Sequence, residues 1–146
     1  MHPKRNILSG PTPLERAEEL SKHLKIDLHI KRDDLAGLRG SGSKAGVIGS
    51  CVRRDAALQG PRIERVLERL GHLYTPANNV TKKDIRVWDG ALAPGYGRIG
   101  QRSLEAIRLM ASLEGLFLDP VYTAKSFSAI TSLVETGDIP IAARVC

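Results

Sequence analysis

The chain has 146 residues, of which 42% are hydrophobic, and a formal net charge of +6 at pH 7. These values are typical of one globular domain or of a piece of a larger one. No apolar run is long enough to span a membrane, and the amino terminus lacks the apolar core of a secretory signal. The two cysteines, Cys51 and Cys146, are too few for a disulfide framework or a metal site, so we expect a reduced, cytoplasmic setting. The basic residues are scattered rather than clustered, which argues against nucleic-acid binding.

The first predicted elements are a helix and a short strand. Thr12 is a suitable helix cap, Pro13 fits the first helical position, and Glu15 can complete a capping box. These signals predict a helix from Thr12 to about Lys25. The alternation of Leu28 to Lys31 predicts a strand directly after it.

A loop rich in small residues follows, from Gly37 to Gly46. It holds four glycines and two serines in ten residues, so many backbone N–H groups are free to wrap a phosphate. The spacing is not that of a Walker loop. A flexible linker is the alternative interpretation.

The middle of the chain is predicted to alternate between strands and a helix. Val47 to Val52 and Ile85 to Asp89 are β-branched or alternating and predict strands. Pro61 to Leu70 carries an apolar face and predicts a helix that ends at Gly71. Pro94 to Gly97 predicts a sharp turn, since its two glycines allow positive φ.

The carboxyl half adds two predicted helices. Ser103 is expected to cap the first, which runs to Glu114 and is followed by Gly115. Leu116 to Leu118 has the character of a strand or a buried segment, and the second helix covers Ala124 to Val134.

Helices and strands alternate along the chain, which predicts an α/β fold with a mostly parallel sheet flanked by helices. Tyr122 and Thr123 lie where the last helix begins, and free backbone N–H groups gather at such positions. An ordinary strand-to-helix connection with a surface tyrosine is the alternative.

Several motifs together resemble one family of pyridoxal-phosphate enzymes, the D-cysteine desulfhydrase / 1-aminocyclopropane-1-carboxylate deaminase family. The similarity covers residues from about 6 to 38 and from about 47 to 137. It implies the tryptophan-synthase-β-like fold, also called fold type II, with pyridoxal 5'-phosphate as cofactor. The segments that carry it are Gly10–Glu15, Ile30–Leu35, Ala93–Gly97, Glu105–Leu109, Glu114–Gly115 and Leu118–Lys125.

The chain is also much shorter than members of that family. It resembles their two ends, residues 1–38 and 47–146, joined by a junction loop at residues 39–46. The small domain of the family has no counterpart. We therefore expect residues 1–146 to form a single, incomplete cofactor domain.

The junction loop allows two assignments under this resemblance. Lys44 lies at the same offset from Leu35 as the lysine that forms the Schiff base in the family. Alternatively, the loop is the family's phosphate loop, and the following Ala-Gly and the next strand favour this assignment. In that case the residues that hold the phosphate are Gly40, Ser41, Gly42 and Ser43.

Three further site residues follow from the resemblance. Tyr96 and Tyr122 are expected near the substrate, and Thr123 is expected to face the pyridine nitrogen. A hydroxyl at the last position is typical of the desulfhydrase branch, since the deaminase branch carries glutamate there.

The resemblance implies α,β-elimination from a small amino acid, D-cysteine, to give pyruvate, sulfide and ammonia. One wall of the cofactor cleft is expected to be missing, which would open the site to water. The alternative function is therefore a non-catalytic fragment. Such a fragment would act through self-association, as a homodimer, or by pairing with a full-length relative, because an incomplete sheet exposes an unpaired edge.

Overall fold

A computed structural model describes residues 13–31, 47–73 and 81–146. The Gly/Ser loop, including Lys44, lies outside the described residues. In chain order the elements are β1 (Leu14–Arg16), α1 (Glu18–Leu24), β2 (Asp27–Lys31), β3 (Ile48–Ser50), α2 (Ala56–Leu73), a 3-10 turn (Lys82–Asp84), β4 (Arg86–Trp88), α3 (Gln101–Glu114), α4 (Thr123–Glu135) and β5 (Arg144–Val145).

The strands form two small sheets. In the first, β2 lies between β1, which is antiparallel to it, and β5, which is parallel. In the second, β3 and β4 are parallel, with Ser50 opposite Trp88. The predicted α/β class is confirmed. The predicted single, mostly parallel sheet is not confirmed, because the pairings are divided between two sheets and one of them is antiparallel.

The main core lies between β2 and three helices, α1, α3 and α4. Its centre is Leu20, which is 0% exposed, and Leu28, which is 2% exposed. The other buried members of this cluster are Ala17, Ile26, Ala106, Met110 and Phe127. The amino end of α1 is tied to the carboxyl end of α3, since the backbone N–H of Leu20 donates to the Glu114 carboxylate at 2.8 Å. Within the described ranges, no helix is both long enough and apolar enough to cross a membrane.

The amino-terminal helix begins later than predicted. Leu14, Glu15 and Arg16 form strand β1, which pairs with His29 to Lys31, and α1 begins only at Glu18. The backbone N–H of Ala17 donates to the Leu28 carbonyl at 3.0 Å, which holds the chain in the sheet up to the helix. The predicted end is confirmed, because Lys25 adopts a left-handed conformation with φ of 57°.

Helix α2 is longer at both ends than its predicted range. Two carboxylates stabilise its early start: the N–H of Ala56 donates to Asp89 and that of Leu58 donates to Asp55, each at 2.8 Å. Pro61 therefore lies inside the helix rather than at its first position. Gly71 does not end the helix, which continues to Leu73.

The predicted end of α3 is confirmed, since Gly115 has a positive φ of 65°. Its beginning was predicted wrongly, because Gly100 rather than Ser103 precedes the first turn. The Ser103 side chain is instead buried, and its hydroxyl has no hydrogen-bond partner among the described residues. Of the two interpretations of Leu116 to Leu118, the strand is wrong, whereas Leu116 and Leu118 are partly buried against the core and Phe117 is 89% exposed.

Asp27 joins all three strands of the first sheet. Its carboxylate accepts hydrogen bonds from Arg144 of β5 at 2.7 Å and from Arg16 of β1 at 2.9 Å, and it contacts His29 at 3.0 Å. Donation by Arg144, then by Arg16 and His29, holds the pKa of Asp27 well below its usual range. A group with a depressed pKa stabilises the fold above its unfolded-state pKa, about 3.9 for Asp.

We expect Asp27→Asn to lower the melting temperature at pH 7 and to flatten its dependence on pH. The wild-type protein should lose this stabilisation as the pH falls below about 4, because the carboxylate then takes up a proton. Melting curves between neutral and acid pH measure the effect, and added salt should reduce it. Glu68→Gln on the exposed face of α2 is the control. Equal acid profiles for wild type and Asp27→Asn would contradict the expectation.

Candidate functional site

An open cleft of about 340 Å³ lies at the carboxyl end of β3, where the chain passes into α2. Ligands of open α/β folds commonly bind at the carboxyl ends of parallel strands. The backbone N–H of Cys51 donates to the Trp88 carbonyl at 2.7 Å, which extends the β3–β4 pairing to the edge of the cleft. The lining residues are Gly49, Ser50, Cys51, Val52, Arg53, Arg54, Gln59, Ile63, Val87, Tyr96 and Tyr122.

Tyr96 and Tyr122 meet in this cleft. Their hydroxyls share a hydrogen bond, and their rings pack edge to face with centroids 6.2 Å apart. The guanidinium carbon of Arg53 lies 5.4 Å from the centre of the Tyr96 ring, within cation–π range. The hydrogen bond with Tyr96 raises the pKa of Tyr122, because it holds the hydroxyl proton of Tyr122.

Tyr96 is presented by the sharp turn that the sequence predicts. Gly95 and Gly97 have φ of 137° and 72°, and the Ala93–Pro94 peptide bond is cis. The turn also passes close to the start of α3, because a Cβ on Gly100 would lie 2.3 Å from the Ala93 carbonyl oxygen. Glycine is thus required there by the close approach of two backbones.

Tyr122 is held by the corner that Asp119 makes before α4. The Asp119 carboxylate accepts the N–H groups of Val121, Tyr122 and Thr123 at 2.8 to 2.9 Å. It also accepts the Thr123 hydroxyl at 2.7 Å. Burial raises the pKa of Asp119, but these hydrogen bonds, led by the Thr123 hydroxyl, outweigh burial and lower the pKa to about 2.

Lys125 is a further residue of this region to which sequence reasoning gave no role. Its side chain is 0% exposed, although lysine is almost never fully buried. The Nζ atom donates to the backbone carbonyls of Gly95 at 2.9 Å and Leu92 at 3.4 Å, on the turn that presents Tyr96. The available signal was a lysine placed among the apolar positions of a predicted helix, next to the Tyr-Thr corner.

The structure brings two of the predicted site residues together. Tyr96 and Tyr122 are 26 positions apart in sequence and share the cleft. Thr123 follows Tyr122 directly, but its hydroxyl donates to Asp119 and it does not line the cleft. The predicted phosphate-loop residues and the candidate lysine lie outside the described residues: Gly40, Ser41, Gly42, Ser43 and Lys44.

Cys51 is buried in the floor of the cleft, as its place in an apolar run predicted. Burial, followed by the negative charges of Asp89 and Asp55, raises the pKa of its thiol. A raised pKa disfavours the thiolate, which is the nucleophilic form. We therefore assign Cys51 to packing.

The chain is similar in sequence to curated D-cysteine desulfhydrases. It is 41% identical over 85 residues to the enzyme of Salmonella paratyphi C (strain RKS4594), and to that of Salmonella choleraesuis (strain SC-B67). Each similarity covers 58% of this chain and 25% of the relative. The matched region thus spans about a quarter of the length of these relatives. No family model matches the chain.

A solved structure is similar in fold. The crystal structure of an ACC deaminase homologue matches with a TM-score of 0.53 and 24% sequence identity, covering 66% of this chain and 29% of that chain. At this identity the match supports the fold only. The sequence similarities confirm the resemblance predicted from the motifs: over the matched region this chain is similar to curated D-cysteine desulfhydrases.

Proposed function

We propose that this chain provides the substrate-side wall of a pyridoxal-phosphate-dependent site of the D-cysteine desulfhydrase type. The reaction would be α,β-elimination from D-cysteine to pyruvate, sulfide and ammonia. The observation that carries the proposal is the contact between Tyr96 and Tyr122 in the cleft. Family resemblance assigned both residues to the substrate side on separate motifs, and a shared substrate requires them to be close together.

The chemistry of the cleft fits an anionic, aromatic cofactor with an amino-acid substrate. Arg53 and Arg54 provide positive charge, Ser50 provides a hydroxyl, and the tyrosines provide aromatic surface. Under the resemblance the junction loop either holds the phosphate through Gly40 to Ser43 or supplies the Schiff-base lysine, Lys44, and loss or retention of the lysine-bound band in Lys44→Ala decides between the two. When bound, pyridoxal phosphate supplies an electron sink that stabilises negative charge at the substrate α-carbon.

The residues of this chain would act on the substrate through hydrogen bonds and proton transfer. For Tyr122 to protonate the sulfur atom that leaves as the C–S bond breaks, its hydroxyl must turn from Tyr96 to the substrate. Tyr96 orients that hydroxyl, and Arg53 offers a positive charge to the substrate carboxylate. Thr123 is the proposed hydrogen-bond partner of the pyridine nitrogen. To donate there, its hydroxyl must give up its hydrogen bond to the Asp119 carboxylate.

Absorbance of the purified protein incubated with pyridoxal phosphate tests this function. We expect the visible band of lysine-bound cofactor, its loss in Lys44→Ala, and its retention in the control Lys83→Ala, which removes an exposed lysine. Sulfide release from D-cysteine, with L-cysteine as the comparison, then measures turnover. Absence of the band at saturating cofactor would contradict the proposal.

A non-catalytic role in self-association is the second candidate, and helix α2 favours it. Three of its apolar side chains are exposed: Leu58 by 60%, Val66 by 63% and Leu70 by 42%. Exposed apolar surface of this kind is typical of interfaces. We expect sedimentation to show a homodimer that Val66→Glu dissociates, and a monomer at all concentrations would contradict this role.

A further inference from the structure

We propose that Lys125 is a positioning residue, which sets the distance between Tyr96 and Tyr122 by fastening the turn of one tyrosine to the helix of the other. The inference deepens the proposed function, because the site it concerns is the same tyrosine pair. Lys125 would act by holding the backbone of the Tyr96 turn, not by contacting substrate or cofactor.

The Lys125 side chain lies in the interior, where a polar head group is costly. A buried charge is costly unless charged or polar groups compensate it. The Nζ atom of Lys125 donates to two backbone carbonyls, and no carboxylate is paired with it within the described ranges. It also lies in the first turn of α4, where the helix dipole disfavours a cation. Packing alone would be better served by an apolar side chain of the same length.

The two carbonyls that accept from Lys125 belong to the turn that presents Tyr96. Leu92 and Gly95 flank the Pro94 corner, and the N–H of Gly95 donates to the Leu92 carbonyl at 2.7 Å. Tyr96 follows Gly95 directly, so the hydrogen bond from Lys125 to the Gly95 carbonyl fixes the peptide group that leads into Tyr96. Gly95 has a φ of 137°, a conformation that glycine adopts readily and other residues do not.

The backbone of Lys125 is itself held in place by two side-chain hydroxyls. Its carbonyl accepts the Ser50 hydroxyl at 3.3 Å from the cleft and the Ser128 hydroxyl at 2.8 Å from α4. Tyr122 lies three residues earlier, held by the Asp119 corner. One residue thus links the cleft floor, the α4 helix and the Tyr96 turn, and the tyrosine hydroxyls meet where these parts converge.

The test is a titration of the tyrosines by NMR in protein labelled at the tyrosine Cζ, without cofactor or substrate. The groups that act on Tyr122 are Tyr96, Asp119 and Arg53. Signals are assigned with Tyr96→Phe and Tyr122→Phe. In wild type we expect Tyr122 to titrate above the ordinary range of a free tyrosine.

In Lys125→Met we expect the Tyr122 titration to return to that ordinary range, because the Tyr96 turn is no longer held. Lys125→Arg keeps a donor and should restore part of the shift, whereas the exposed control Lys83→Met should leave it unchanged. An unchanged Tyr122 titration in folded Lys125→Met would overturn the inference. Failure of the desulfhydrase assay would not, since this readout needs neither cofactor nor turnover.

A measurement on the wild-type protein covers the case in which Lys125→Met does not fold. Lysine Nζ–H protons that are buried and hydrogen-bonded exchange slowly with water, and they can be observed in protein labelled with ¹⁵N-lysine. We expect one slowly exchanging Nζ group, absent from Lys125→Arg, with close contacts to protons of Gly95 and Tyr96. Rapid exchange of every lysine Nζ group would overturn the inference.

Discussion

Replacing Leu20 with alanine is expected to reduce the free energy of unfolding by about 3 kcal/mol, the largest effect among the variants considered. Leu20 is 0% exposed and lies at the centre of the core that joins β2 with α1, α3 and α4. The substitution removes buried methyl groups and leaves a cavity that the surrounding helices can close only in part. The melting temperature should fall by about 10 °C.

Denaturant unfolding measures this change, and Leu58→Ala is the matched control. Leu58 is also a helical leucine, but it is 60% exposed, so its replacement should change stability by less than about 0.5 kcal/mol. Comparable losses in the two variants would mean that the core is not centred on α1.

Removing the carboxylate of Asp119 is expected to give the second largest effect. Asp119→Ala leaves three backbone N–H groups and the Thr123 hydroxyl without their acceptor at the start of α4. Loss of a single capping interaction typically costs about 1 kcal/mol, and we expect about 2 kcal/mol here because several donors are affected. The Tyr122 corner should loosen at the same time.

The contribution of Asp119 should depend on pH in a defined direction. Its pKa is lowered to about 2 in the folded protein, against about 3.9 for an unperturbed Asp. The stabilisation is therefore complete above about pH 4 and is lost as the pH falls toward 2. Melting curves of wild type and Asp119→Ala should converge over that interval.

Asp138→Ala provides the comparison for this variant. It removes an exposed carboxylate that accepts one hydroxyl, from Thr136, just beyond the carboxyl end of α4. We expect it to change stability by no more than about 0.5 kcal/mol. A loss equal to that of Asp119→Ala would show that general surface charge, not the α4 corner, is responsible.

Local sequence signals predicted the elements that are determined by residues close together in the chain. Gly115 ends α3 through its positive φ, and the apolar rhythm from Phe127 onward marks α4. Long-range pairing explains the errors. Residues 14–16 have the signals of a helix start, yet they pair with β2, and β5 is a two-residue strand whose Arg144 binds Asp27 across 117 positions. Neither strand can be recognised from its own residues, because each depends on a partner strand elsewhere in the chain.

The candidate site, like the fold, was predicted only in part. Family motifs indicated Tyr96 and Tyr122 separately, but no spacing rule states that residues 26 positions apart will share a hydrogen bond. Lysines in helices are usually exposed, so the sequence alone does not assign Lys125 to the site. Only its full burial and its two carbonyl acceptors show that it belongs with the tyrosines.

Trp88 is an intrinsic fluorescent probe of the cleft. It is the single tryptophan of the chain, and it pairs with Ser50, which lines the cleft. Its ring is packed so close to Gly90 that a Cβ there would lie 2.5 Å from it. Fluorescence of the unmodified protein would thus register occupancy of the cleft by an absorbing ligand, without a label or a coupled assay.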